Sequence, residues 1–299
     1  MNRFFYFVSL ACFLCFQVKA QDTIFNEEHL LKHIKTLSSD AFEGRATGTK
    51  GALKAEKYIT NQLYSLNVSP FGKDYRQNFS FSDKGRNYEA TNIIGLIKGT
   101  LYTDTYIVVS AHYDHLGIKN GTIYNGADDD ASGISALFSF AEYLKNNPPK
   151  HSVILIAFDG EELGLRGSKY FVNNSPIPLK QIRANLNMDM ISRSDKNELF
   201  AVGTYYNKTL KSIVLNNHFS DSLKLSTGHD GFDGLEDWTY ASDHGNFHRK
   251  NIPFLYFGVE DHKDYHEPTD DFENIHPKFY IEAVKVIIKV FQKIDQLQL

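Results

Sequence analysis

Apolar residues along the chain follow two alternating rhythms. Leu30, Leu31, Ile34 and Leu37 recur at the 3.6-residue period of a helix face, and Asn26 before them is a side chain suited to cap the first turn. Ala52, Ala55, Ile59, Leu63 and Leu66 mark a second helix between Thr49 and Leu66, joined to the first through the Gly/Thr-rich segment Gly44 to Thr49. The rhythm then changes. Residues 92–97, 106–110, 152–158 and 184–188 are short apolar runs of the kind buried on both faces of a sheet. Between the second and third, Ile134, Leu137, Phe138, Ala141 and Leu144 return to helical spacing until Pro148-Pro149 ends it. A helix over Lys208 to Leu215, a strand at 253–257 and a closing helix from Pro277 complete the pattern. Strands spaced by helices predict one α/β domain with a mostly parallel sheet and helices on both faces, and no repeat, low-complexity tract or Pro/Ser-rich linker divides it.

The amino terminus departs from this pattern. Arg3 precedes an apolar run from Phe4 to Phe16, and Val18 and Ala20 stand at −3 and −1 of a cut before Gln21. This is the layout of an export signal over residues 1–20, with a mature domain over 21–299 that is periplasmic or secreted. The run is shorter than the ~20 residues of a bilayer span, and Ser9-Leu10-Ala11 ahead of Cys12 leaves lipoprotein anchoring as a minor alternative. Cys12 and Cys15 are the only cysteines among 299 residues, so the mature chain has none to bridge. Its core has to carry the fold, and roughly 280 residues suffice to bury about three quarters of the unfolded surface.

With 42% apolar and 23% charged residues the composition is that of an ordinary globular protein. Lys+Arg 32 against Asp+Glu 36 gives a net charge of −4, and losing Arg3 and Lys19 with the signal makes the mature chain more acidic still. There is no basic footprint for nucleic acid or an anionic membrane surface. No other apolar run is long enough for stable insertion of the mature chain into a membrane.

Three of the expected strands end in polar residues. The run 106–110 leads into Ala111-His112-Tyr113-Asp114-His115, 152–158 into Asp159-Gly160-Glu161-Glu162, and 184–188 into Asp189. In an open α/β sheet, ligands bind beyond the carboxyl ends of the strands, where these groups would meet. Gly126-Ala127-Asp128-Asp129-Asp130-Ala131-Ser132-Gly133 adds three adjacent carboxylates before an amphipathic helix. A helix N-terminus offsets only about 0.3–1 kcal/mol per charge; a bound cation would do far more. A polar loop from Asp264 to Asp271 supplies His266.

These motifs, together with 40–45, 159–168, 187–190, 242–244 and 265–270, resemble the secreted zinc aminopeptidases of the two-zinc, co-catalytic type. That family also contains glutamate carboxypeptidases and has glutaminyl cyclases as relatives. The resemblance implies a single three-layer α/β/α domain with a central mixed, mostly parallel sheet, and two Zn²⁺ ions acting on a peptide substrate. Matched residue by residue, it makes His112 and Asp189 ligands of one zinc, Glu162 and His266 ligands of the other, Asp129 the bridge and Glu161 the general base. Three ligand carboxylates and a bridging hydroxide would cancel the charge of two Zn²⁺, and neutral imidazoles complete a mixed N/O shell. Asp114 resembles the carboxylate that takes the proton of the other His112 ring nitrogen.

Asp128 and Asp130 read as helix-capping or turn residues, and Glu43-Gly44-Arg45 as a structural brace of the first helices. Tyr240 is a candidate phenol for supporting an oxyanion, one residue closer to Ser242 than the related arrangement. Asp243 and His244 match a segment that tends to lie near the site, and His262 is placed at the cleft. Asp128, Asp237, Glu260 and Asp264 remain open as partners of a substrate α-amino group. The expected activity is an exopeptidase, an aminopeptidase ahead of a carboxypeptidase. A one-zinc glutaminyl cyclase is the alternative within the fold, and a non-catalytic binding module the alternative outside enzymology. The intact ligand set and Glu161 weigh against the module.

Overall fold

A computed structural model describes residues 24–297; the segment 1–20 read as an export signal lies outside them. In chain order the elements are α1 (Glu27–Leu37), α2 (Lys50–Ser65), β1 (Ser69–Pro70), β2 (Arg76–Asp83), β3 (Arg86–Ile97), β4 (Tyr102–His112), β5 (Gly117–Lys119), β6 (Thr122–Tyr124), α3 (Ser132–Asn146), β7 (His151–Phe158), α4 (Arg166–Asn173), β8 (Ile182–Met188), β9 (Glu198–Val202), α5 (Lys208–Leu215), β10 (Lys224–Thr227), α6 (His244–His248), β11 (Phe254–Gly258) and α7 (Pro277–Asp295). Asn26 accepts a hydrogen bond from the His29 N–H and Thr49 from that of Ala52, so both helices start at the caps their sequences offer. No helix among the described residues is long and apolar enough to cross a membrane.

The main sheet has the order β1-β3-β7-β4-β8-β11-β9-β10, with β2 added on β3. Its centre, β7-β4-β8-β11, is parallel. Antiparallel pairs flank that centre, β3 on β7 at one side and β9 on β11 at the other. Every residue of β7 is buried, as its unbroken apolar run demands. Val153, Leu155 and Ala157 face the layer made by α1, α2, α3 and α7, while Ile154, Ile156 and Phe158 face Phe171 of α4 and Phe247 of α6. Burying one such aliphatic or aromatic side chain is worth about 1.5–3 kcal/mol, and the two apolar faces explain why helices cover both sides. The α/β/α architecture is the one the sequence led us to expect.

The expectation passed over the β2–β3 hairpin. Its signal is present: Phe79 and Phe81 alternate with polar residues, and Lys84-Gly85, with φ of 48° and 80°, forms the two-residue turn whose left-handed conformations match the twist of paired strands.

His33 joins three helices at the core. Its Nδ1 lies 2.7 Å from the Tyr58 hydroxyl of α2 and its ring packs edge-on against Phe138 of α3 at 4.8 Å. Burial pushes its pKa down to about 4, with Glu142 opposing. The folded state therefore keeps this imidazole neutral over a range in which the unfolded chain protonates it, and stability falls as pH drops from about 6.5 toward 4. Urea denaturation at pH 7.5 and 4.5 should show His33→Gln losing less stability on acidification than the parent, by roughly 2–3 kcal/mol; equal losses would contradict it.

Candidate metal centre and active site

The register of the parallel strands aligns the functional residues. His112 at the end of β4 is paired with Phe158 of β7, so Asp159, Glu161 and Glu162 follow at the same level. Met188 of β8 is paired with Phe257 of β11, which brings Asp189 beside them. Below this level Ser110 donates to the Asn187 side-chain oxygen at 2.6 Å and accepts from the Asn185 amide at 2.9 Å, a buried polar rung that fixes β4 against β8.

The turn before α3 separates its three aspartates by role. Asp130 accepts the Gly133 N–H at 2.7 Å, capping α3, and also the N–H of His112 at 3.2 Å and of Met190 at 3.4 Å. Gly133 is glycine for a steric reason: a Cβ there would stand 2.5 Å from the Asp130 carboxylate. Asp128 accepts both the N–H and the hydroxyl of Ser192, at 2.6 and 2.7 Å, and contacts His262 Nε2 at 3.0 Å. Both behave as the structural residues the sequence suggested. His262 therefore braces Asp128 and does not line the cleft.

Asp129 points elsewhere. Its Oδ1 is 3.1 Å from His112 Nε2 and its Oδ2 is 3.2 Å from His266 Nε2. His112 Nε2 is also 3.4 Å from Asp189 Oδ1, and His266 Nε2 is 3.4 Å from Glu162 Oε2. Ligands of one tetrahedral zinc with 2.0–2.2 Å bonds lie about 3.3–3.6 Å apart, so these spacings suit two neighbouring metal positions that share Asp129. Asp130 is also within reach of His112 and Asp189; its oxygens, however, already accept protein donors. His112, Asp129, Glu161, Glu162, Asp189 and His266 all line one cleft.

Charge tells the same story. Burial opposes ionisation of Asp129, yet the imidazoles of His115, His112 and His266 hold it well below the usual carboxylate range. Hydrogen bonds from Asp129 and Glu162 lift His266 to about 10. Burial, with Asp189 and Asp243, pushes Glu161 well above its ordinary value despite His112. The cluster thus calls for positive charge beyond what its imidazoles supply.

The scaffold behind the cluster is mostly backbone donors on carboxylates. Asp114 differs from expectation: His112 Nδ1 meets the Asp114 main-chain carbonyl at 3.0 Å, while its carboxylate is 3.8 Å away. That carboxylate instead accepts the N–H groups of Glu161 and Glu162, at 3.0 and 3.3 Å, and so holds the turn that carries both glutamates. Asp270, which the sequence did not single out, accepts the N–H groups of Asp128 and Asp129 at 2.9 and 3.1 Å and ties the His266 loop to the bridging residue. Tyr265 stacks on His266 at 4.0 Å.

The cleft has a volume of about 410 Å³, within the range of small-ligand sites. Tyr240 lines it, half exposed, with Arg249 over its ring at 4.4 Å. Asp243 and His244 do not. Both are wholly buried behind the wall; burial lifts Asp243 to about 7 and lowers His244 to about 3, and His244 stacks on Tyr256 at 4.5 Å. A helix of only five residues turns them inward. Of the proposed amine partners, Asp128 is engaged with Ser192 and Asp264 with Arg193. The free carboxylates of the lining are instead Glu236 and Asp261, each one residue from a position the sequence reading named.

His115 received no role from the sequence. It is fully buried, with Nδ1 2.8 Å from Glu162 Oε1 and 3.6 Å from Asp129 Oδ2.

Arg45 is buried beneath the site. Its guanidinium donates to the carbonyls of Leu37 (2.7 Å), Tyr113 (2.8 Å), Asn125 (2.6 Å) and Gly126 (2.8 Å), joining α1 to both loops that carry ligands. This confirms it as a brace. Arg45→Met leaves the carbonyls of Leu37, Tyr113 and Asn125 without this donor, Gly126 keeping the Ala131 N–H, and should cost about 3–5 kcal/mol in chemical denaturation; Arg45→Lys should recover little because an ammonium lacks the planar fork. A loss below about 1 kcal/mol would show that the brace is dispensable.

A model of peptidase family M28 matches residues 92–291. The aminopeptidase YwaD of Bacillus subtilis is 33% identical over 199 residues, covering 63% of this chain and 41% of that protein; the chain thus spans less than half the length of this relative. Among solved structures, the zinc aminopeptidase BSAP from Bacillus subtilis superposes with a TM-score of 0.70 at 20% identity, covering 90% of this chain and 95% of that one. Porphyromonas gingivalis glutaminyl cyclase superposes equally well, with a TM-score of 0.71 at 17% identity over 91% and 99% of the two chains. Proteins described by two different activities share this fold, so the choice between activities rests on the site.

Proposed function

Since this chain belongs to peptidase family M28, we propose that it is a zinc-dependent exopeptidase that removes amino-terminal residues from peptides, using two Zn²⁺ ions. The observation that carries the reading is Asp129, whose two oxygens face two separate ligand groups, His112 with Asp189 and His266 with Glu162. A one-metal cyclase has no need of that division. The proposed export signal over 1–20 ahead of a domain over 21–299 agrees with an enzyme that acts on peptides outside the cytoplasm.

Zinc at these positions supplies Lewis acidity, making nearby water more acidic and a substrate carbonyl more electrophilic. The chain's own groups do the rest. Glu161 is the general base: its carboxylate takes a proton from the attacking water and passes it to the leaving amine. Asp114 positions it through the Glu161 N–H, so the base and the adjacent ligand Glu162 move as one rigid turn. Tyr240 at the cleft wall offers a phenol to the substrate end of the site.

The cleft also favours an amine over a carboxylate. No Lys or Arg is among its lining residues, whereas Glu236 and Asp261 line it in addition to the ligands and Glu161. A substrate α-ammonium meets opposite charge there; a C-terminal carboxylate meets like charge. That supports the aminopeptidase branch over the carpoxypeptidase one.

Metal analysis should return two zinc ions per chain, and amino-acid amides or dipeptides with a free amine should be cleaved while their N-acetylated forms are not. Preference for blocked amines would move the enzyme to the carboxypeptidase branch, and one zinc with pyroglutamate formed from an N-terminal Gln peptide would make it a cyclase. Glu161→Gln should keep its zinc and lose about 10²–10⁴-fold in kcat; near-normal turnover with both ions bound would remove Glu161 from the mechanism.

A further inference from the structure

We infer that His115 is an additional metal ligand, binding through Nδ1 the same ion as Glu162 and His266 and closing that ion's coordination shell. The inference rests on the two-zinc reading above and adds to it a distinction between the two ions.

Three observations converge. First, the His115 side chain has no exposure to solvent, whereas His266 is 41% exposed. Second, its Nδ1 lies 2.8 Å from Glu162 Oε1, yet the two do not align as a hydrogen bond, and both His115 ring nitrogens and Glu162 Oε1 are buried without any hydrogen-bond partner. Leaving a buried polar group unpaired costs about 1–3 kcal/mol, and two orphaned atoms side by side share one remedy, an electrophile toward which both lone pairs converge. Third, His115, Asp129 and Glu162 each place a donor atom within 4.8 Å of the others, and His266 Nε2 lies 3.2 and 3.4 Å from the same two carboxylates.

The ring is held in that pose. Gly126, in the left-handed conformation at φ 57°, lies against it so closely that a Cβ would come within 2.5 Å of the imidazole. The Gly126 carbonyl is in turn fixed by Arg45 at 2.8 Å. His115 is therefore as firmly placed as the ligands the sequence motif names.

The consequence is an asymmetric pair. Asp129, Glu162, His266 and His115 give one ion four protein ligands, the closed tetrahedral shell of a structural zinc. His112, Asp129 and Asp189 give the other ion three, leaving a position for water or substrate, as catalytic zinc sites do. The ion at His115 then serves mainly to hold Asp129 and Glu162 and to balance their charge.

Calorimetric titration of the metal-free full chain with Zn²⁺ alone, for the parent and His115→Gln, reads this directly. The parent should bind two ions; the variant should bind one of them about 100-fold or more weakly, still bind the other, and lose part of the zinc-dependent protection against thermal unfolding. Anomalous diffraction from the zinc-loaded parent, which does not depend on the variant folding, should place one ion about 2.0–2.1 Å from His115 Nδ1. Two ions in the parent with neither near Nδ1, or a variant with both affinities unchanged, would overturn the inference and leave the two-zinc reading standing. Fewer than two ions in the parent would overturn that reading and this inference with it.

Discussion

Concentrated negative charge at the carboxyl end of a parallel sheet is the constraint on which this molecule depends. Asp129, Glu161, Glu162 and Asp189 converge on one cleft, Asp129 and Glu162 between imidazoles and Asp189 beside one. Removing such groups from water costs several kcal/mol each unless they are paired. The arginine buried beneath the site does not neutralise them directly. Arg45 donates all its hydrogen bonds to backbone carbonyls, so it fixes loop shape and leaves the carboxylate oxygens free. The protein thus preserves a charge deficit for a cation to fill, and invests its hydrogen bonds in geometry.

That geometry is built at two levels. The sheet register sets the coarse positions: a slip of one residue along β4 would turn His112 to the opposite face, and the Ser110 rung with Asn185 and Asn187 guards against it. Carboxylates outside the proposed ligand set fix the fine positions. Asp130 caps α3, Asp114 holds the Glu161–Glu162 turn, and Asp270 holds the backbone of Asp129. Each accepts N–H groups from a loop that carries ligands, which explains why so many acidic residues surround the site.

The layers of the fold were legible because both periodicities are strong: β7 is apolar without a break from Val153 to Phe158, and α1, α2 and α3 bury the faces their spacing defines. The residues that line the cleft were legible because each lies in a short motif, at a strand end for His112, Glu161, Glu162 and Asp189, in the turn before α3 for Asp129 and in the loop after β11 for His266. What stayed hidden depends on contacts distant in sequence. Asp270 lies 141 residues from the amide of Asp129, and nothing local marks it. His115 lies three residues beyond a recognised ligand, but its direction depends on the packing of Gly126. Asp243 and His244 look like cleft residues in one dimension and are turned inward by a short helix. His112 meets the main chain of Asp114 and not its carboxylate, a choice of partner that no motif records.

Asp129 turns one oxygen toward His112 and the other toward His266, and in the two-ion centre proposed above this would make metal occupancy a joint property. An ion held by Oδ1 withdraws electron density and rotational freedom from the same carboxylate that offers Oδ2, so the affinity at either position depends on whether the other is filled. By thermodynamic reciprocity the two effects have the same size in both directions. The half-loaded protein is consequently a species with its own affinity, and the zinc concentration over which the centre assembles is set by coupling through a single side chain as much as by the strength of either set of ligands.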